Sequence, residues 1–224
     1  MEKKNYQKEL DKILFNLTIN STEKKPSLLL HACCGPCSSY VIEYLSQYFD
    51  ITIYYYNPNI HPEQEYFRRL NELKKFISEF PDATKNKVSL VIDDYNPQEF
   101  FNETNVLQEP ELQQEAEKGE RCRRCYKFRM KKAFTYACKK NFDWFTTTLS
   151  ISPHKDSEKI NIIGLELEKS IINNYEEPFI KLTKFLPSDF KKKGGFLRST
   201  QLSEEYGLWR QDYCGCIYSK KNNL

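Results

Sequence analysis

SLLLHACCGPCSSYVIEYLSQYF, residues 27–49, decides the fold. Residues 27–31 form an apolar run the length of a buried strand, Gly35-Pro36 breaks it, and the apolar positions of residues 38–49 recur at helical spacing. The order strand, loop, helix then repeats. ITIYYY (51–56) is β-branched and aromatic, stops at NPNIHP (57–62) and leads into the charged amphipathic stretch EQEYFRRLNELKKFISEF (63–80). KVSLVID (87–93) predicts a third strand, followed by a short helix and a long one from about 111 to 140. Residues 142–147 predict a fourth strand, SISPHKD (150–156) its loop, and a further helix begins near Ser157. Such alternation implies an α/β fold, a Rossmann-like parallel sheet with helices on both faces. Ligands of such sheets bind beyond the carboxyl ends of the strands, which selects the loops HACCGPC, NPNIHP, DDYNP and SISPHKD. The expected organisation is an N-terminal helical extension over 1–26, the α/β domain over 27–180, and a small C-terminal lobe over 181–224, where the periodic pattern weakens.

The 224 residues are 39% hydrophobic and 29% charged, which suits a soluble globular chain. No apolar run approaches the roughly 18 to 20 residues that span a bilayer, and the N-terminus reads as an amphipathic helix without a signal-peptide core. A cytoplasmic protein with no membrane partner is therefore expected. In that reducing compartment eight cysteines point to metal binding or thiol redox chemistry and away from a disulfide framework.

The cysteines are grouped. Cys33 and Cys34 end the first strand and Cys37 opens a helix, where backbone amides favour the thiolate that binds metals and attacks electrophiles. Cys122 and Cys125 are three apart in the first turns of a helix and share a face. Cys33, Cys34, Cys122 and Cys125 together make a four-thiolate centre, which zinc and a four-iron cluster both accept. Cys214 and Cys216 form a C-x-C whose disulfide would close a small, easily reduced ring, as suits a catalytic dithiol. Cys138, inside a helix, reads as core. His31 beside the cysteines is a candidate proton donor. A structural zinc site explains the four thiolates alone, whereas a redox enzyme explains the dithiol as well.

Five motifs in order, HACCGPC, YYYNPNIHPEQEYFRR, RCRRCYKFRM, TTLSISPHKD and GFLRSTQLSEEYGLWRQDYCGC, resemble the QueH type of epoxyqueuosine reductase over about residues 27–218. The resemblance implies a Rossmann-like fold of the adenine-nucleotide-hydrolase kind and reduction of epoxyqueuosine in tRNA to queuosine. It implies a 4Fe-4S cluster on Cys33, Cys34, Cys122 and Cys125, and a redox-active pair at Cys214 and Cys216. For some members it implies an additional mononuclear iron, for which Cys37 is the candidate ligand; some relatives carry an aspartate at that position. The expected partners are the anticodon stem-loop of tRNA and an unidentified electron donor. A net charge of +3 is too small for strong nonspecific binding of nucleic acid, so RNA contacts are expected from local patches. The candidates are Arg123, Arg124, Lys127, Arg129, His154, Lys155, residues 191–193 (all lysine), and the aromatics Tyr206, Trp209 and Tyr213. The alternative is a zinc-stabilised, non-catalytic tRNA-binding module.

Overall fold

A computed structural model describes residues 4–20, 24–174 and 182–220. The elements are α1 (Tyr6–Ile19), β1 (Ser27–Ala32), α2 (Gly35–Leu45), β2 (Asp50–Tyr55), α3 (Glu63–Glu79), α4 (Pro81–Lys85), β3 (Ser89–Ile92), α5 (Pro97–Thr104), α6 (Glu111–Gln114), α7 (Glu120–Lys139), β4 (Trp144–Thr147), α8 (Ser157–Asn174), β5 (Lys184–Phe185) and α9 (Gly195–Glu205). Among the described residues the sheet has five strands in the order β3-β2-β1-β4-β5, every pairing parallel. The α/β, Rossmann-like reading is therefore the observed architecture.

Alternation along the strands divides the core into two layers. Leu28, Leu30 and Ala32 of β1 and Ile51, Ile53 and Tyr55 of β2 face one layer, with Leu10 and Leu14 of α1, Val41 and Leu45 of α2, Leu73 and Phe76 of α3 and Leu202 of α9. Leu29, Tyr54, Phe145 and Phe185 face the other, against Tyr126, Met130 and Phe134 of α7 and Ile160 and Ile163 of α8. Cys138 is buried in this second layer. The chain leaves β1 toward β2 and β3 on one side and returns to β4 on the other, so the strand order reverses between β1 and β4. The loops after β1 and β4, which carry HACCGPC and SISPHKD, flank this crevice.

Two elements differ from the sequence reading. The helix expected from 111 to 140 is broken into α6 and α7, because Glu115 caps α7: its carboxylate accepts the Glu120 and Arg121 amides, both at 2.7 Å. Lys118, at φ 73°, makes the reversal just before it. Past residue 180, where no strand was expected, β5 adds two residues to the sheet edge. The expected boundary at 180 lies outside the described residues. No helix among the described residues is long and apolar enough to cross a membrane.

Helix α9 lies on α2 at a close approach through Gly195. A Cβ there would stand 2.0 Å from the Phe190 carbonyl oxygen and 2.4 Å from the Tyr40 ring. Backbone cannot yield as a flexible side chain does, so Gly195→Ala is expected to destabilise the fold by about 2 to 3 kcal/mol, the upper part of the range for overpacking. Urea unfolding would read this as a lowered midpoint at unchanged slope.

Candidate metal and thiol centre

The end of β1 delivers Cys33 and Cys34 into the interior, 4% and 1% exposed, and Cys34 is the N-cap of α2. Its Sγ accepts the Cys37 amide at 3.4 Å, filling the role an aspartate or serine commonly takes. The Sγ atoms of Cys33, Cys34 and Cys37 all lie within 4.8 Å of one another, so this trio could hold a metal ion. The three thiols titrate together. Hydrogen bonds from Cys34 and Cys37 hold Cys33 well below the usual thiol range, so it carries the charge. Burial, reinforced by neighbouring Cys33, pushes Cys34 up to about 12, and hydrogen bonding to Cys33 pushes Cys37 up as well.

Cys122 and Cys125, on the first turns of α7, line a small enclosed cavity with Cys214 and Cys216. Burial raises both members of the first pair, Cys125 to about 11. Cys214 is held well below its usual range by a hydrogen bond from Cys216, with Lys155 and Ser219 assisting, while Cys216 is pushed upward. One thiolate beside one thiol is the arrangement of a reactive dithiol. All eight cysteines are free thiols.

Half-buried Lys155, after β4, links the two groups. Burial works against its charge, but Cys33, Cys214 and Cys37 outweigh that and raise its pKa. Lys155, His154 and Cys214 also border an open cleft of about 550 Å³ with Cys37, Gln211 and Tyr213 on its walls. That volume suits a nucleoside-sized group.

The C-x-C is held by the second βα loop. Buried Arg69, paired with Glu65 at 2.6 Å, donates to the carbonyls of Tyr213 and Cys214 at 3.0 and 3.1 Å. The His61 amide donates to the Gly215 carbonyl at 2.8 Å, and the Tyr213 hydroxyl to the His61 carbonyl. Gly215 stands at φ 101°, where a side chain would be strained and would meet Ile60 and Arg69. From the same tail Gln211 reaches over the trio, its amide 3.0 Å from the Cys34 Sγ.

A match to the family profile described as Epoxyqueuosine reductase QueH covers residues 28–222. The chain is 44% identical over 197 residues to the epoxyqueuosine reductase QueH of Streptococcus pyogenes serotype M1, covering 88% of this chain and 71% of that one. It is 36% identical to the Staphylococcus epidermidis protein of the same name, over 97% of this chain and 85% of that one. The chain belongs to the QueH family. The Thermotoga maritima QueH, 30% identical over 86% of this chain and 90% of its own, extends the likeness to a distant relative.

In this QueH-family chain the four cysteines expected as one ligand set lie in one region, with Cys122 packed against the buried cluster that holds Cys33 and Cys34. Cys33 and Cys34 close up with Cys37, and Cys122 and Cys125 face Cys214 and Cys216. His31 is fully buried with both ring nitrogens engaged, Nδ1 by the Thr147 hydroxyl at 2.9 Å and Nε2 by the Tyr56 carbonyl at 3.2 Å. Burial, with Arg129 adding to it, depresses its pKa to about 3, so the ring is neutral and braces β1 between its neighbours. Arg123 and Arg124 are held by Glu120 and Glu109 in ion pairs of 2.6 to 3.0 Å. Trp209 carries the Arg68 guanidinium 3.7 Å above its ring, and His154 is exposed. Arg129, expected at RNA phosphates, is 2% exposed and therefore cannot meet them. Arg69, Gln211 and Glu117, the last on the wall of the small cavity, were not singled out from sequence. Only the helical register of Arg69 on α3, four residues after Glu65, hinted at the first.

Proposed function

We propose that this chain reduces epoxyqueuosine in tRNA to queuosine, with an iron–sulfur cluster held by Cys33, Cys34, Cys122 and Cys125 and Cys214/Cys216 as a redox-active pair. The observation that carries the proposal is the convergence of seven cysteines, from three separate segments, on the crevice where the strand order reverses. The family's name supports the substrate. Buried, partly ionised thiols are the donor chemistry for soft metals, and the cations Lys155 and Arg129 beside them offset the charge such a centre brings inside. When bound, the cluster and an additional mononuclear iron near Cys37 supply single electrons and a Lewis acid.

Loss of the epoxide oxygen takes two electrons and two protons and releases water. The Cys214/Cys216 pair holds both electrons and one of the protons: the epoxide becomes an alkene and water as a thiolate and a thiol become one disulfide, the second proton comes from solvent, and an external donor must then reduce the disulfide. The cleft beside Lys155 receives the modified nucleoside. Lys155 holds a positive charge where the epoxide oxygen collects negative charge, and Cys216 holds a proton. An anaerobic reaction with tRNA bearing epoxyqueuosine and a strong reductant, read by nucleoside mass spectrometry, should show loss of one oxygen; no conversion by metal-loaded chain would refute the proposal.

The spacing of the trio favours a second reading. A single zinc with bonds of about 2.3 Å places its sulfurs about 3.8 Å apart, and Cys33 and Cys34 are 3.9 Å apart. A non-catalytic zinc-stabilised tRNA-binding module would give bound zinc, RNA binding and no conversion.

A further inference from the structure

Arg129 is a buried cation without a carboxylate. Its side chain projects from the inward face of α7, four residues after Cys125, and it makes no ion pair among the described residues. Its Nη2 donates to Asn57 Oδ1, and Asn57 in turn donates to the Ala32 carbonyl at 2.9 Å, one residue before Cys33. This brace ties the guanidinium to the end of β1 at the cysteine loop. Its Nε is buried with no acceptor. Arg129 lines the enclosed cavity together with Cys122, Cys125, Cys214 and Cys216.

A buried charge is sustained by a partner of opposite sign, and a buried N–H by an acceptor. Groups face Arg129 from several elements. From α7 comes Cys125, from β1 neutral His31 and from the loop after it Cys33, from the β2 loop Asn57, and from the β4 loop Lys155, a second cation. Glu117 is the carboxylate on the cavity wall; it forms no ion pair with Arg129. Besides Glu117, the cavity groups able to carry negative charge are the thiols of Cys122, Cys125, Cys214 and Cys216.

We propose that Arg129 is the internal counter-charge of the thiolate centre, and that it raises that centre's reduction potential and retards its loss of iron. This rests on the iron–sulfur reading above. Reduction adds negative charge, which a fixed cation lining the same cavity favours in a medium that screens poorly. Removing the cation therefore lowers the midpoint potential.

The test compares wild type, Arg129→Gln and Arg129→Lys after anaerobic reconstitution, by redox titration followed by electron paramagnetic resonance and by the rate of iron release to a chelator. Arg129→Gln is expected to titrate at a lower potential and to release iron about tenfold faster or more, as losses around metal ligands do. Arg129→Lys, which keeps the charge, should stay near wild type. Equal potential and equal release in Arg129→Gln would overturn the proposal. If Arg129→Gln folds but takes up no iron, loading of Arg129→Lys supports the role of charge, and equal failure of Arg129→Lys overturns it. A wild-type chain that binds zinc alone would instead sink the iron–sulfur reading, so the two failures are distinct.

Discussion

Cys33→Ser is expected to leave the chain folded but colourless, with bound iron near zero and turnover at background. Cys33 is the member of the trio that carries the thiolate, because Cys34 and Cys37 donate to it. A serine hydroxyl is neutral at pH 7 and a poor ligand for soft metals. Cys122→Ser should act alike through the other arm of the proposed ligand set. Visible absorbance, iron content and nucleoside conversion are measured together, with a melting curve as the control for folding. An active, colourless Cys33→Ser chain would contradict the assignment.

Cys214→Ser is expected to separate iron from activity. Its iron content should match wild type while conversion falls to background, because a serine cannot form the disulfide that stores the electron pair. Cys214 also sets a pH dependence. A hydrogen bond from Cys216 favours its ionised form, so its folded pKa lies below the ordinary thiol value and the thiolate persists below that value. Cys216→Ala removes the bond. The midpoint of Cys214 alkylation against pH should then move upward, and labelling at neutral pH should slow. Conversion that survives Cys214→Ser would exclude the dithiol as the electron store.

The parallel sheet was legible because β1 and β2 are apolar, β-branched or aromatic runs, each stopped by a loop rich in Gly, Pro or Asn. β5 was not, since two residues carry no period and only pairing with β4 makes them a strand. The break before α7 escaped because it depends on Glu115 folding back onto amides five and six residues ahead. Cysteine spacing located the site but left the place of Cys37 open. Cys37 joins Cys33 and Cys34 because Cys34 caps the helix that carries it, a contact that follows from the turn geometry. Arg123, Arg124, Lys127 and Arg129 read together as candidates for RNA contact, yet Arg129 continues the four-residue repeat of Arg121 and Cys125 and faces inward. Helical register contained that information, but the braces that make burial tolerable, Asn57 for Arg129 and the Leu112 and Gln113 carbonyls for Arg121, come from elsewhere in the chain.

Anaerobic analysis of iron, acid-labile sulfide and zinc in the purified chain, on the same sample assayed for conversion of epoxyqueuosine, tests the proposed redox centre most directly. About four irons and four sulfides per chain, with conversion to queuosine, is the expected result; one zinc, no sulfide and no conversion would contradict it.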